Sequence, residues 1–246
     1  MADHATPPGM GPDLFDAYAP AQMARRVEVA GAAKAGLPLL PLFTLALLAG
    51  AFIAFGAMLF TLTMTDHGMG LGPSRILGGV TFSLGLVLVV VGGAELFTGN
   101  LLLVMGWADR KIATAALLRN WGVAYAGNLA GAVAMAFLAY WSGYMDLGAG
   151  AVGATAIKIA TAKVELDFTT AFVRGILCNT LFFIPVGMLA AGNDAYAAAA
   201  GLLPAGAGLT FAGFVGNLLP VTLGNMVGGG LFVAGTYYLV YLRPHS

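Results

Sequence analysis

Glu95 and Arg174 fall within or at the edge of long stretches that otherwise carry no charge, and ionisable residues in such places mark functional sites by default. Acid-base or nucleophilic catalysis needs paired groups, yet His4, His67 and His245 all lie outside the apolar stretches, so enzyme chemistry has almost nothing to work with. A single cysteine, Cys178, excludes an internal disulfide, and no Cys or His pair has zinc-ligand spacing, so neither a metal nor another cofactor is expected. Six asparagines, Asn100, Asn120, Asn128, Asn179, Asn217 and Asn225, are costly in hydrocarbon unless they bond between helices or line a cavity. Packing accounts for most of them; Asn179 and Asn225, mid-span beside small residues, are the better candidates for a pore lining. Thr98 can offer a hydroxyl to a permeating solute or bond to its own helix. Phe82, Leu86, Leu96 and Phe97 can form hydrophobic constrictions, or simply pack.

The elements that must position these residues are membrane spans. The 246-residue chain is 59% hydrophobic and 9% charged, with a mean hydropathy of +0.88, which makes the bilayer its solvent and an all-α polytopic fold the expectation. Its 36 glycines fit tight packing between transmembrane helices, and its zero net charge gives no sign of a nucleic-acid partner. Residues 1–12 read as disordered, 13–36 as a short amphipathic surface helix with Arg25, Arg26 and Lys34 kept wet, and 37–243 as the transmembrane domain. About five spans are visible. The first covers Leu37 to Met64. The second, from Arg75 to Trp107, is too long for one straight span and is interrupted at Gly92–Asn100 by glycines, Glu95 and polar side chains.

Non-helical backbone at membrane depth survives only when buried in protein or lining a wet cavity, so the interruption reads as two half-helices around a break. Glu95 either anchors that break or serves a pathway, and Asn100 belongs to the same polar group. A third span covers Asn120 to Tyr144, a polar loop with Lys158 and Lys163 follows, and a fourth covers Phe168 to Leu189, where Arg174 snorkels or pairs with Asp167. The last, Phe211 to Leu242, is weakened by Pro220, Gly224 and Gly228–Gly230; residues 194–210 are a loop, an interfacial segment or an extra span. The Lys and Arg count puts the N-terminal flank and the Arg110–Arg119 loop on the cytoplasmic side of a bacterial inner membrane.

The strings GGAELFTGNLLLVMGWADRKI, AKVELDFTTAFVRGILCN and NLLPVTLGNMVGGGLFVAGTYYLVYL resemble the formate/nitrite transporter family, from the Asp13 helix to Arg243. The resemblance implies an aquaporin-like bundle of six spans, two of them broken and related by an inverted repeat, with one pore per protomer of a homopentamer. It also implies Leu86 and Leu96 at a cytoplasmic constriction, Phe82 and Phe97 at a periplasmic one, and Thr98 on the mobile loop of the first broken helix. Lys163 matches the family lysine that draws small monovalent anions into the periplasmic vestibule, and Asn179 and Asn225 match lining asparagines. The sequence departs from the family after Asn179: the end of one span, a cytoplasmic loop, the start of the next and the Glu-His pair with the central pore histidine are missing. The resemblance therefore leads to a channel for formate or nitrite, with proton coupling. The alternatives are a non-conducting membrane subunit or a neutral-solute channel.

Overall fold

The computed structural model of the protein describes residues 18–177 and 210–243. Among them every regular element is helical: α1 (Pro20–Ala35), α2 (Leu39–Thr63), α3 (Leu71–Val91), a half-helix α4 (Phe97–Ala108), α5 (Thr114–Trp141), α6 (Ala151–Val164), α7 (Phe168–Leu177) and α8 (Phe211–Leu242). Four of these, α2, α3, α5 and α8, are long and apolar enough to cross a bilayer, so the chain is an all-α polytopic membrane protein. Residues 1–12, most of 194–210 and the second half of the expected fourth span lie outside the described residues, as does Asn179.

Two expectations change. The segment after the third span is not a loop: Gly148 and Gly150, at φ +64° and +89°, turn the chain into α6. Its Ile157 packs with Ala54, Ala57, Ala136 and Ala139. Lys158 and Lys163 made this stretch look like solvated polar chain, but its other face carries seven buried residues. Asp167 also does not await Arg174; its carboxylate accepts from the Thr170 N–H (3.0 Å) and hydroxyl, capping α7.

Close helix contacts explain many of the glycines. A methyl group on Gly131 of α5 would stand 2.0 Å from the Leu47 carbonyl oxygen of α2, and one on Gly224 of α8 would stand 2.1 Å from the Phe172 oxygen of α7. Backbones approach this closely only where no side chain intervenes. The two crossings are copies of one another. Asn120 and Asn217, Gly127 and Gly224, Asn128 and Asn225, and Gly131 and Gly228 are each 97 positions apart. Gly131 meets Leu47 as Gly228 meets Ile176, and the Leu47–Ile176 offset is 129. Lys34 and Lys163 share that second offset, and their carbonyls accept from the equivalent side chains, Asn120 at 3.1 Å and Asn217 at 2.6 Å.

The repeat is inverted. Tyr144, just past α5, donates its hydroxyl proton to Met58 near the end of α2, and α6 packs at that same end. So α7 starts where α2 finishes and runs the opposite way, and Lys34 and Lys163 stand at opposite ends of the bundle. The final helix departs from α geometry: after Asn225 its turns widen into π form over Met226–Gly235 and Tyr238–Leu242. Gly228 and Gly229 sit where Ile176 and Leu101 press closest against it.

Gly131→Ala should therefore cost about 1–3 kcal/mol by forcing two backbones apart, read as a lower apparent melting temperature in detergent. Gly72→Ala, which meets nothing within 4 Å, should leave it unchanged.

Candidate functional site at the helix break

The break is made by Gly92 and Gly93. The Gly92 N–H still bonds to Leu88 (2.8 Å), but Gly93 turns left-handed at φ +61°, and the chain is extended by Leu96. Helical bonding is lost at membrane depth, and α5 restores it through one side chain. The Asn128 Oδ1 accepts the Phe97 N–H at 2.8 Å, while its Nδ2 donates to the carbonyls of Ala46 (2.7 Å) and Glu95 (2.9 Å). The Glu95 N–H is taken by Leu45 at 3.2 Å. Leu45 and Ala46 are six or seven residues into α2, so the break lies about 10 Å from that helix's start.

The Glu95 side chain, 3% exposed, is fully engaged: Oε1 pairs with Lys34 Nζ at 2.8 Å and Oε2 accepts from Asn100 Nδ2 at 2.8 Å. Asn100 also donates to Asn120 Oδ1 (2.9 Å), Asn120 donates to the Lys34 carbonyl, and Trp121 Nε1 donates to the Asn100 carbonyl (2.9 Å). Lys34, expected to be wet, thus neutralises the buried acid, which is how a charge is tolerated away from water. The carboxylate holds side chains; the freed backbone groups are held by Asn128 and Leu45.

A second ion cluster ties α1 to the far end of α4. Lys111 Nζ lies 2.7 Å from Glu28 Oε2 and 2.8 Å from Asp109 Oδ2. The Lys111 ammonium holds the Asp109 carboxyl below its usual 3.8, and Asp109 first, then Glu28, raises Lys111 above 10.5. The sign of each shift keeps the clasp charged through the neutral range: it is lost below pH 3.8 as Asp109 protonates, or above 10.5 as Lys111 deprotonates.

The pore candidates divide by depth. Thr98 and Gly99 are exposed at the first turn of α4, and among the described residues the Thr98 hydroxyl has no partner. Phe97 is buried, edge-on to Tyr125 (5.2 Å) and Trp121 (6.5 Å), in a cluster with Ala46, Leu101 and Ala124. Leu96 packs beside it against Ala49, Val89 and Ala94. Phe82 is edge-on to Phe60 (6.4 Å) among residues level with Ala54 and Ala57, about 15 Å further along α2 than Phe97. The structure therefore does not bring Phe82 and Phe97 together, although the resemblance assigns them to one constriction. Leu86 is half exposed on α3, Asn225 is half-buried at the point where α8 becomes π-helical, and Lys163 closes α6 at the opposite end from Lys34. Sequence reasoning undervalued Lys34, Asn120 and Asn128; the signal was the Gly-Asn-x-x-Gly string at 127–131 repeated at 224–228.

Four long apolar helices, one of them (α3) continued past a polar break by the half-helix α4, and an inverted repeat define a multi-pass membrane protein with a re-entrant break. The formate/nitrite transporter profile matches residues 21–203, and the chain belongs to that family. It is 34% identical over 277 residues to the formate channel FocA of Escherichia coli K12, covering 94% of this chain and 97% of that one. It is 33% identical to a probable formate transporter of Methanothermobacter thermautotrophicus, covering 91% and 97%. A solved pentameric formate channel with formate bound superposes with a TM-score of 0.71 at 30% identity, over 83% of this chain and 98% of that one. The FocA alignment is at least 31 positions longer than this chain, so the relative carries residues with no counterpart here.

Removing one partner of the Glu95 pair should hurt more than removing both charges. Lys34→Met leaves a buried carboxylate and should cost about 2 kcal/mol, discounted because Lys34 is a third exposed, whereas Lys34→Met with Glu95→Gln should recover most of it. Apparent melting temperatures of the three proteins check the order.

Proposed function

We propose that the chain forms a channel for a small monovalent anion or its weak acid, formate or nitrite, with one pore per protomer of a homopentamer in the bacterial inner membrane and its N-terminus cytoplasmic. The observation that carries this reading is the break at Gly92–Asn100. Its backbone is satisfied from behind by Asn128 while Thr98 stays exposed, as a solute-facing loop requires. Membership of the formate/nitrite transporter family supports the same reading.

Lys163 at one mouth raises the local anion concentration, and Lys34 holds the equivalent place at the other while pairing Glu95. Thr98 offers a hydroxyl to the solute, Asn179 and Asn225 line the path, and Leu86, Leu96 and Phe82 narrow it, with Phe97 packed behind the break against Tyr125 and Trp121. A bare anion pays a large desolvation cost in such a passage and a neutral weak acid does not, so uptake is coupled to protons.

A second reading is a poorly conducting or non-conducting subunit. Its support is internal: 72 residues separate Leu47 from Asn120, whereas 40 separate the equivalent Ile176 and Asn217. The second half is thus 32 residues shorter between matched points, close to the shortfall against FocA.

Proteoliposome uptake of labelled formate separates the two. The channel reading expects uptake well above empty vesicles, faster with acid outside, and lowered about tenfold by Thr98→Val through loss of a hydrogen bond to a charged solute. Uptake equal to empty vesicles favours the second reading.

A further inference from the structure

Tyr125 and Thr222 are also 97 positions apart, so they hold equivalent places in the two halves of the repeat. They touch each other, with 3.0 Å between the two hydroxyl oxygens. An approximate two-fold carries each residue onto its mate, and mates meet only beside the axis that relates them. This hydrogen bond therefore lies at the junction of the two halves, about halfway along α5, near the middle of the bilayer.

Its polarity is fixed. The Thr222 hydroxyl gives its proton to the Leu218 carbonyl at 2.7 Å, so Tyr125 is the donor and Thr222 the acceptor. The Tyr125 ring stands edge-on to Phe97 at 5.2 Å and 77°. Phe97 is the first residue after the break, and its N–H is held by Asn128, three residues along α5 from Tyr125. On the other side, Thr222 is three residues before Asn225, the repeat equivalent of Asn128, and Met226 packs on the same cluster as Phe97. One hydrogen bond thus separates the seat of the break from the turn where α8 changes geometry.

The geometry points to Tyr125 and Thr222 as a positioning pair that couples the two halves of the pore. Phe97 packs on the edge of Tyr125, whose hydroxyl is bonded to Thr222, so displacement at the break is transmitted through that ring to α8 at Thr222–Asn225, and the reverse. The functional meaning rests on the channel reading, but the coupling is a property of the chain and does not need transport to be seen.

Hydrogen–deuterium exchange of the full chain in lipid nanodiscs tests it, with Tyr125→Phe, which keeps the ring, Thr222→Val, which removes the acceptor, and Thr222→Ser, which restores it. Losing one neutral hydrogen bond should speed exchange between about two- and tenfold. The coupling expects that rise, by similar factors, both in the segment covering 92–100 and in the one covering 222–230, for Tyr125→Phe and Thr222→Val alike, with Thr222→Ser matching the parent. A rise confined to one segment, no rise in either, or Thr222→Ser behaving like Thr222→Val overturns it. Formate uptake by the same four proteins is read in parallel: absence of flux in all of them counts against the channel reading, and the exchange pattern alone decides the coupling.

Discussion

A helix that stops inside a bilayer leaves backbone donors and acceptors that lipid cannot satisfy, and the structure around the break is organised by that constraint. Asn128 answers it with a single carboxamide, using both donors and its acceptor on Phe97, Ala46 and Glu95. Each of those groups left unpaired would cost about 1–3 kcal/mol, so one side chain stands between the break and several kcal/mol of penalty. The requirement propagates. Asn128 can reach both α2 and the break only because Gly50, Gly127 and Gly131 let α2 and α5 approach with no side chain between them. The acid beside the break can stay buried only because the end of α1 delivers Lys34 to it.

The same design recurs in the second half in opposite orientation, with Asn217, Gly224, Asn225 and Gly228 in the places of Asn120, Gly127, Asn128 and Gly131. The halves are unequal in one respect. Between matched points the second is 32 residues shorter. The packing of α7 on α8 persists across that difference, since Gly175, Gly224 and Gly228 still meet the opposing backbone closely. The helix crossings here depend on small residues within α7 and α8, not on the length of the segment between them.

Much of this was legible in the residues. Length and charge spacing located α2, the break and α8 to within a few positions, because some twenty uncharged residues suffice to cross a bilayer and a Gly-Gly-acid string cannot continue a helix through one. What the residues concealed came from side chains whose partners are distant in sequence. Lys34 reads as a surface lysine until α3 returns along α2 and brings Glu95, 61 positions on, against it. Lys158 and Lys163 disguise a helix because charge on one face says nothing of the small residues that bury the other. The depth difference between Phe82 and Phe97 is set by where the break falls along α2, which no local pattern records.

If the break is a pore element, it faces water on one side and protein on the other. Cysteine accessibility tests this most directly, with Cys178→Ser as background and a membrane-impermeant thiol reagent applied to the protein in sealed vesicles and in opened ones. Thr98→Cys should be labelled, and Phe97→Cys, one residue away but packed on Tyr125 and Trp121, should not. Labelling of Phe97→Cys as fast as Thr98→Cys, or of neither, would contradict it.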